Sequence, residues 1–160
     1  MDAEPQKLTQ ATHDRLVAEL VELTTKGRID IANAIEAARA LGDLKENGDY
    51  HAAKDAQGKM EARVRQLQAM LKHAVIVDAD EDHDGTVKEG TIVTIRYEGD
   101  DEDDTQDFFF GSIEERPGDI SVVSPSAPLG AALAGHCSGD TVGYEAPGGT
   151  LKVQIVAVRT

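Results

Sequence analysis

The chain has little of what several common functions need. It carries one cysteine, Cys137, in 160 residues. That excludes an internal disulfide and a multi-thiolate zinc site, and it suits a reducing, cytoplasmic compartment. Tryptophan is absent and aromatic residues make up only 4% of the sequence. A stacking platform for single-stranded nucleic acid is therefore not expected. No run of about 18 apolar residues occurs, so no membrane span is expected. The N-terminus, Met1 to Pro5, is acidic and does not read as a signal peptide. Cations are scarce: 16 Lys and Arg face 30 Asp and Glu, a net charge of -14. General affinity for phosphate backbones or anionic lipid is disfavoured on that ground.

What is present divides into two chemically different halves. Residues 1–76 hold 11 Lys and Arg against 12 Asp and Glu, whereas residues 77–160 hold 5 against 18. The second half projects a strong negative field, suited to a basic partner. In the first half, Thr9 is placed to cap a helix. Small or apolar residues then recur at Leu16, Leu20, Leu23, Gly27, Ile31, Ala34, Ala38 and Leu41, a helical period. A second stripe runs through Tyr50, Ala53, Gln57, Met60, Val64, Leu67, Leu71 and Ala74 in steps of three and four, a heptad seam. Gly42 to Asp49 lies between them and contains the turn pair Asn47-Gly48. The expected element is an antiparallel coiled-coil hairpin over residues 1–76, with an acidic tip at 42–49. Its helices of roughly 25 to 32 residues would be about 40 to 48 Å long. Gly27, Asp30, Gln57 and Gly58 interrupt or flank the seam, so the length reads as selected for reach. A plain spacer or dimerisation arm is the bland alternative.

Residues 77–90 read as an acidic linker and residues 91–160 as a small antiparallel β domain with a short helix, giving an α+β chain overall. Expected strands cover 91–97, 107–113, 119–123, 141–144 and 151–158, with a one- or two-turn helix at 129–134. The linker opens like a calcium loop, Asp80-x-Asp82-x-Asp84-Gly85, but Thr91 stands where a bidentate glutamate is required. His13, His51 and His73 have no second histidine at ligand spacing, and neither a nucleophile elbow nor a phosphate-cradling glycine loop occurs. A self-contained enzyme is poorly supported.

The tip holds the chemistry. Asp43 and Glu46, three residues apart, fall on one side of a turn. Mg²⁺ takes six oxygens and commonly one or two carboxylates, so this pair reads either as an incomplete site that could lend ligands to a metal held elsewhere or, the blander reading that spacing alone favours, as the solvated charged tip of a hairpin. Lys45 lies between the acids, with Arg39 and Lys54 nearby to steer a phosphate. Tight Mg²⁺ binding by the free chain is not expected.

The run GDLKENGDYHAAK at 42–54 resembles the signature of the Gre family of bacterial transcript cleavage factors. The resemblance continues through Gln57-Gly58, Arg63, Arg65-Gln66-Leu67, Leu71, Val123-Ser124-Pro125, Leu129-Gly130, Leu133, Gly139-Asp140 and Pro147-Gly148-Gly149. It implies a coiled-coil hairpin followed by an FKBP-like domain. It also implies binding to RNA polymerase, with the globular domain on the rim of the secondary channel and the hairpin reaching the active centre. There the tip acids help to hold a second Mg²⁺, and the polymerase hydrolyses backtracked RNA from its 3′ end. By position those acids are Asp43 and Glu46. Arg39, Lys45 and Lys54 match family cations that contact RNA, and Ser124 and Pro125 match the docking loop. The factor would act as a monomeric cofactor of the polymerase, with Mg²⁺ held jointly. Gly48 and Asp49 stand where many relatives have alanine and glutamate. Two other readings stay open at this point: a channel-binding regulator that modulates polymerase without stimulating cleavage, and a prolyl isomerase-like domain on an arm. The second would need an aromatic pocket, which three consecutive phenylalanines, Phe108 to Phe110, cannot line together.

Overall fold

The computed structural model describes residues 5–77 and 84–160. The described chain divides into two compact units, His13–His73 and Pro5–Thr12 together with Ala74–Thr160. Among the described residues, no helix is long and apolar enough to cross a membrane.

The first unit is a helical hairpin. Helix α1 (Gln10–Glu22) passes through a π-turn (Leu23–Gly27) into α2 (Arg28–Arg39), and α3 (Gly48–Lys72) returns. Thr9 caps the first helix as expected, its Oγ1 accepting from the Thr12 N–H at 3.3 Å. The return is antiparallel: Glu19 pairs with Arg63, Arg28 with Glu61, and Arg39 faces Tyr50. α3 has 25 residues, so it is about 37 Å long. Its seam runs as the heptad predicts, with Val64 and Leu67 buried and Tyr50, Ala53, Gln57, Met60 and Leu71 partly so.

The other strand of the hairpin departs from a regular heptad. Ala34 and Leu41 are exposed, and Ile35 takes the inward place expected of Ala34. Gly27 and Ile31 keep their inward places through the π-turn, and from Ile31 the steps of four and three to Ile35 and Ala38 are those of an ordinary helix. Thr24 Oγ1 donates to Leu20 O at 2.8 Å and Thr25 Oγ1 to Val21 O at 2.6 Å, competing with the regular ladder there. Gly27 closes this turn and does not merely interrupt the seam. A β-carbon there would lie 3.1 Å from Met60 Sδ, so glycine permits the close approach of the two helices.

The second unit is built on a five-stranded sheet. β1 (Gln6–Leu8) and β2 (Ala74–Ile76) form a separate parallel pair, Gln6 opposite Ala74. The main sheet has the order β5-β4-β3-β7-β6. Its strands are β3 (Thr91–Tyr97), β4 (Gln106–Phe110), β5 (Ser121–Val123), β6 (Thr141–Ala146) and β7 (Gly149–Arg159), with α4 (Pro128–Leu133) packed on β6. Pairing is antiparallel except between β4 and β5, which run parallel. The expected antiparallel pairing thus holds at every neighbour but this one. The chain leaves β4 at Gly111 and loops through 112–120 before re-entering, so the returning strand is laid down in the same direction. Alternation in β3 turns Thr91, Val93 and Ile95 inward. They join Val87, Phe110, Val123, Leu133, Val142, Val153 and Ile155 in the core.

Three boundaries differ from the sequence expectation. Residues 5–12 and 74–76 belong with the C-terminal unit, because β1 and β2 pair with one another. Within the expected linker, 78–83 lies outside the described residues, but 84–90 is part of the domain. Val87 is buried, its N–H donates to His136 O at 2.8 Å, and Thr86 bridges to Cys137. The first turn of α1 is bound to the loop after β4. Buried Glu115 accepts from Thr9 N–H and Thr9 Oγ1, each at 2.9 Å, and from Thr12 Oγ1 at 2.5 Å. Nothing in local periodicity marks Glu115, since its partners lie more than a hundred residues earlier.

Candidate functional site

The tip is shaped by three local devices. Leu41 and Gly42 stop α2, with Leu41 N–H donating to Ala38 O at 3.1 Å and Gly42 in the left-handed region at φ 131°. Asp43 Oδ1 then accepts from Lys45 N–H at 3.1 Å, the geometry of an Asx turn. Asn47 caps α3, its Oδ1 accepting from Tyr50 N–H at 3.1 Å. The Asn47-Gly48 pair, read from sequence as a turn, is thus the cap and first residue of the returning helix.

These devices bring Asp43 and Glu46 onto one open concavity, lined also by Leu41, Asn47, Gly48 and Asp49. Both acids are exposed, and neither is held in an ion pair among the described residues. Asp49 is a third carboxylate on the same wall, in the first turn of α3 where the helix dipole favours negative charge. Among the described residues, no group of three or more His, Cys, Asp or Glu could hold a metal ion unaided. The donors are hard carboxylate oxygens, of the type Mg²⁺ prefers, in too small a number to close its shell.

Cations edge the acids. The Arg39 guanidinium lies 5.8 Å from the centre of the Tyr50 ring, a cation–π contact at an exposed position. The imidazole of His51 meets that ring edge-on, and its Nε2 lies 3.4 Å from Lys45 O. Lys45 is exposed between the two acids. Lys54, one turn beyond Tyr50, donates from Nζ to Gln57 Oε1 at 2.8 Å. None of the three cations lines the concavity that holds the acids.

Ser124 and Pro125 belong to the other unit, in the turn between β5 and α4. Ser124 Oγ lies 2.9 Å from Ser126 Oγ and accepts from Ser126 N–H at 3.2 Å, while Ser124 O accepts from Ala127 N–H at 3.1 Å. Pro128 opens α4 at a position where a missing N–H costs nothing. Gly130 sets the closeness of this turn to the helix: a β-carbon there would fall 1.9 Å from Ser124 O. Sequence reasoning found the turn but not this dependence, which requires knowing what stands opposite the glycine.

Comparison with known proteins gives matches over nearly the whole chain. The family model described as "Transcription elongation factor, N-terminal" matches residues 6–76, and that described as "Transcription elongation factor, GreA/GreB, C-term" matches residues 81–160. Transcription elongation factor GreA of Streptomyces avermitilis is 48% identical over 144 residues, covering 90% of this chain and 86% of the relative. The protein of the same name from Roseiflexus castenholzii is 39% identical over 159 residues, covering 99% of this chain and 100% of the relative. Among solved structures, GreA factor homolog 1 of Thermus thermophilus matches at 22% identity and a TM-score of 0.45, covering 98% of this chain and 100% of that one.

Proposed function

The chain belongs to the GreA/GreB family of transcription elongation factors, and from that premise we propose that it binds RNA polymerase in the cytoplasm and stimulates the polymerase's own hydrolysis of backtracked RNA. It is an elongation factor that works on the polymerase, not an enzyme in its own right. In this reading the protein acts as a monomer. The turn at Ser124 and Pro125 docks at the rim of the secondary channel, and the hairpin carries its tip to the active centre.

The observation that carries the reading is the exposed pair Asp43 and Glu46 on one wall of the tip, unpaired by any local cation. Carboxylates already satisfied by arginine or lysine would have to break those contacts before serving a partner. Here Asp43 gives one oxygen to the Lys45 N–H and the rest of the pair faces outward. Asp43 and Glu46 would hold a Mg²⁺ jointly with polymerase, and that ion supplies a polarised water and stabilises the leaving oxygen in phosphodiester hydrolysis. Arg39 and Lys45 would bind the phosphates of the displaced 3′ segment, with Lys54 further along the helix. Because Asp43 and Glu46 leave most of an octahedral shell unfilled, the site is complete only within the complex, which confines the activity to it.

The test uses a stalled, backtracked polymerase complex with 3′-labelled RNA and Mg²⁺. The wild-type protein is expected to release short labelled fragments rapidly, and Asp43→Ala or Glu46→Ala to reduce that rate by about 100-fold or more, the scale on which lost transition-state charge stabilisation is felt. Full stimulation by the Asp43→Ala/Glu46→Ala form would contradict the reading.

A further inference from the structure

Asn47 does two things with one side chain. Its Oδ1 accepts from Tyr50 N–H, capping α3, and its Nδ2 donates to the carbonyl of Ala38 in the last turn of α2. The two contacts demand a donor and an acceptor on separate atoms, which among the good capping side chains an amide alone supplies. Aspartate would cap α3 as well but, ionised, has no donor, and the one hydroxyl of serine has no second atom to reach the Ala38 carbonyl while it accepts from Tyr50 N–H. The choice of asparagine is therefore not explained by capping.

Its position explains it. Ala38 and Asn47 are nine residues apart, and the segment between them contains both tip acids, Glu46 being the immediate neighbour of Asn47. Ala38 is buried and Asn47 half-buried, whereas residues 39–46 are exposed. Besides this amide, the loop carrying Asp43 and Glu46 is tied across to α3 by the exposed contact of Arg39 with the Tyr50 ring and by the 3.4 Å approach of His51 to Lys45 O; of these described ties, the amide's is the half-buried one. We propose that Asn47 is a positioning residue: by clasping α2 to α3 it fixes the separation of the Asp43 and Glu46 carboxylates, and so sets how well the tip completes a divalent-cation site. The inference rests on the reading of the tip as a cleavage-stimulating element. It concerns a residue whose amide is engaged with the two helices, on the wall that also bears Asp43 and Glu46.

The experiment compares wild type, Asn47→Ser and Asp43→Ala/Glu46→Ala, all full length, in the backtracked-complex assay, titrating Mg²⁺ and factor separately. Asn47→Ser keeps the cap and removes the clasp. It is expected to fold as wild type, to half-saturate polymerase at the same concentration, to lower the saturated cleavage rate about tenfold and to require more Mg²⁺, since misplacement of positioned groups acts on the chemical step. In parallel, hydrogen exchange of the 42–46 amides is expected to quicken about tenfold in Asn47→Ser, while α3 beyond its first turn stays protected. An active wild type with unchanged rate, Mg²⁺ dependence and exchange in Asn47→Ser would overturn the inference alone. So would a variant whose only defect is weaker binding to polymerase. A wild type that does not stimulate cleavage would overturn the reading and the inference together.

Discussion

Single residues decide how closely the parts of this molecule approach one another. Two glycines make the point with opposite outcomes. At Gly27 the obstacle to a side chain is Met60 Sδ, the far end of a flexible thioether, at 3.1 Å. At Gly130 it is the Ser124 carbonyl oxygen at 1.9 Å, part of the backbone. Gly27→Ala is expected to change stability by less than about 0.5 kcal/mol, the gain in helix propensity offsetting the crowding. Gly130→Ala is expected to cost about 2 to 3 kcal/mol, because the turn at Ser124 must move away from α4. Urea unfolding of the two variants checks both, and equal effects would contradict the distinction. The same scale shows where sequence reading stopped. Asp43 and Glu46 could be picked out by their spacing and family pattern. Asn47 was visible only as a turn residue, and Glu115 not at all, because their roles depend on partners that no local pattern names.

At the scale of elements, periodicity was legible wherever one rule governs a whole element. α3 follows its heptad from Tyr50 to Leu71, and β3 its alternation from Thr91 to Ile95. The misreadings fall where two rules compete. The threonines at 24 and 25 turn their hydroxyls onto preceding carbonyls, beside a π-turn that a steady helical period does not announce. The parallel entry of β5 and the pairing of β1 with β2 depend on chain direction through intervening loops, which hydropathy does not record. One polar ladder crosses three strands of the sheet. Asp107 on β4 accepts from Thr94 Oγ1 on β3 at 2.6 Å and from Arg159 on β7 at 3.1 Å. These contacts, the Thr94 hydroxyl first and then Arg159, hold the Asp107 carboxyl below the usual aspartate range. A depressed folded pKa adds stability above the unfolded value, about 3.9, and gives it up as pH falls towards the folded one. Wild type is therefore expected to be more stable than Asp107→Asn at pH 6, with the gap closing in acid below about pH 4. Denaturant unfolding at several pH values measures the gap, and a gap independent of pH would contradict the assignment.

Across the whole molecule the charge is divided as the function requires. Residues 1–76 are nearly neutral, with cations available beside the tip acids, while residues 77–160 carry 18 acids against 5 cations. An acidic domain is repelled by free nucleic acid and is suited to a basic protein surface. In the proposed mode, contact with RNA is left to the hairpin once the chain is held by polymerase. This separates binding from chemistry, and the separation can be measured. Asp43→Asn/Glu46→Gln preserves the shape of the tip and removes its charge. Titrated against wild type on a backtracked complex with 3′-labelled RNA, it is expected to compete at the same half-saturating concentration while releasing no fragments above the polymerase's own rate. Fragment release by this variant at the wild-type rate would contradict the claim that the tip carboxylates are the working parts.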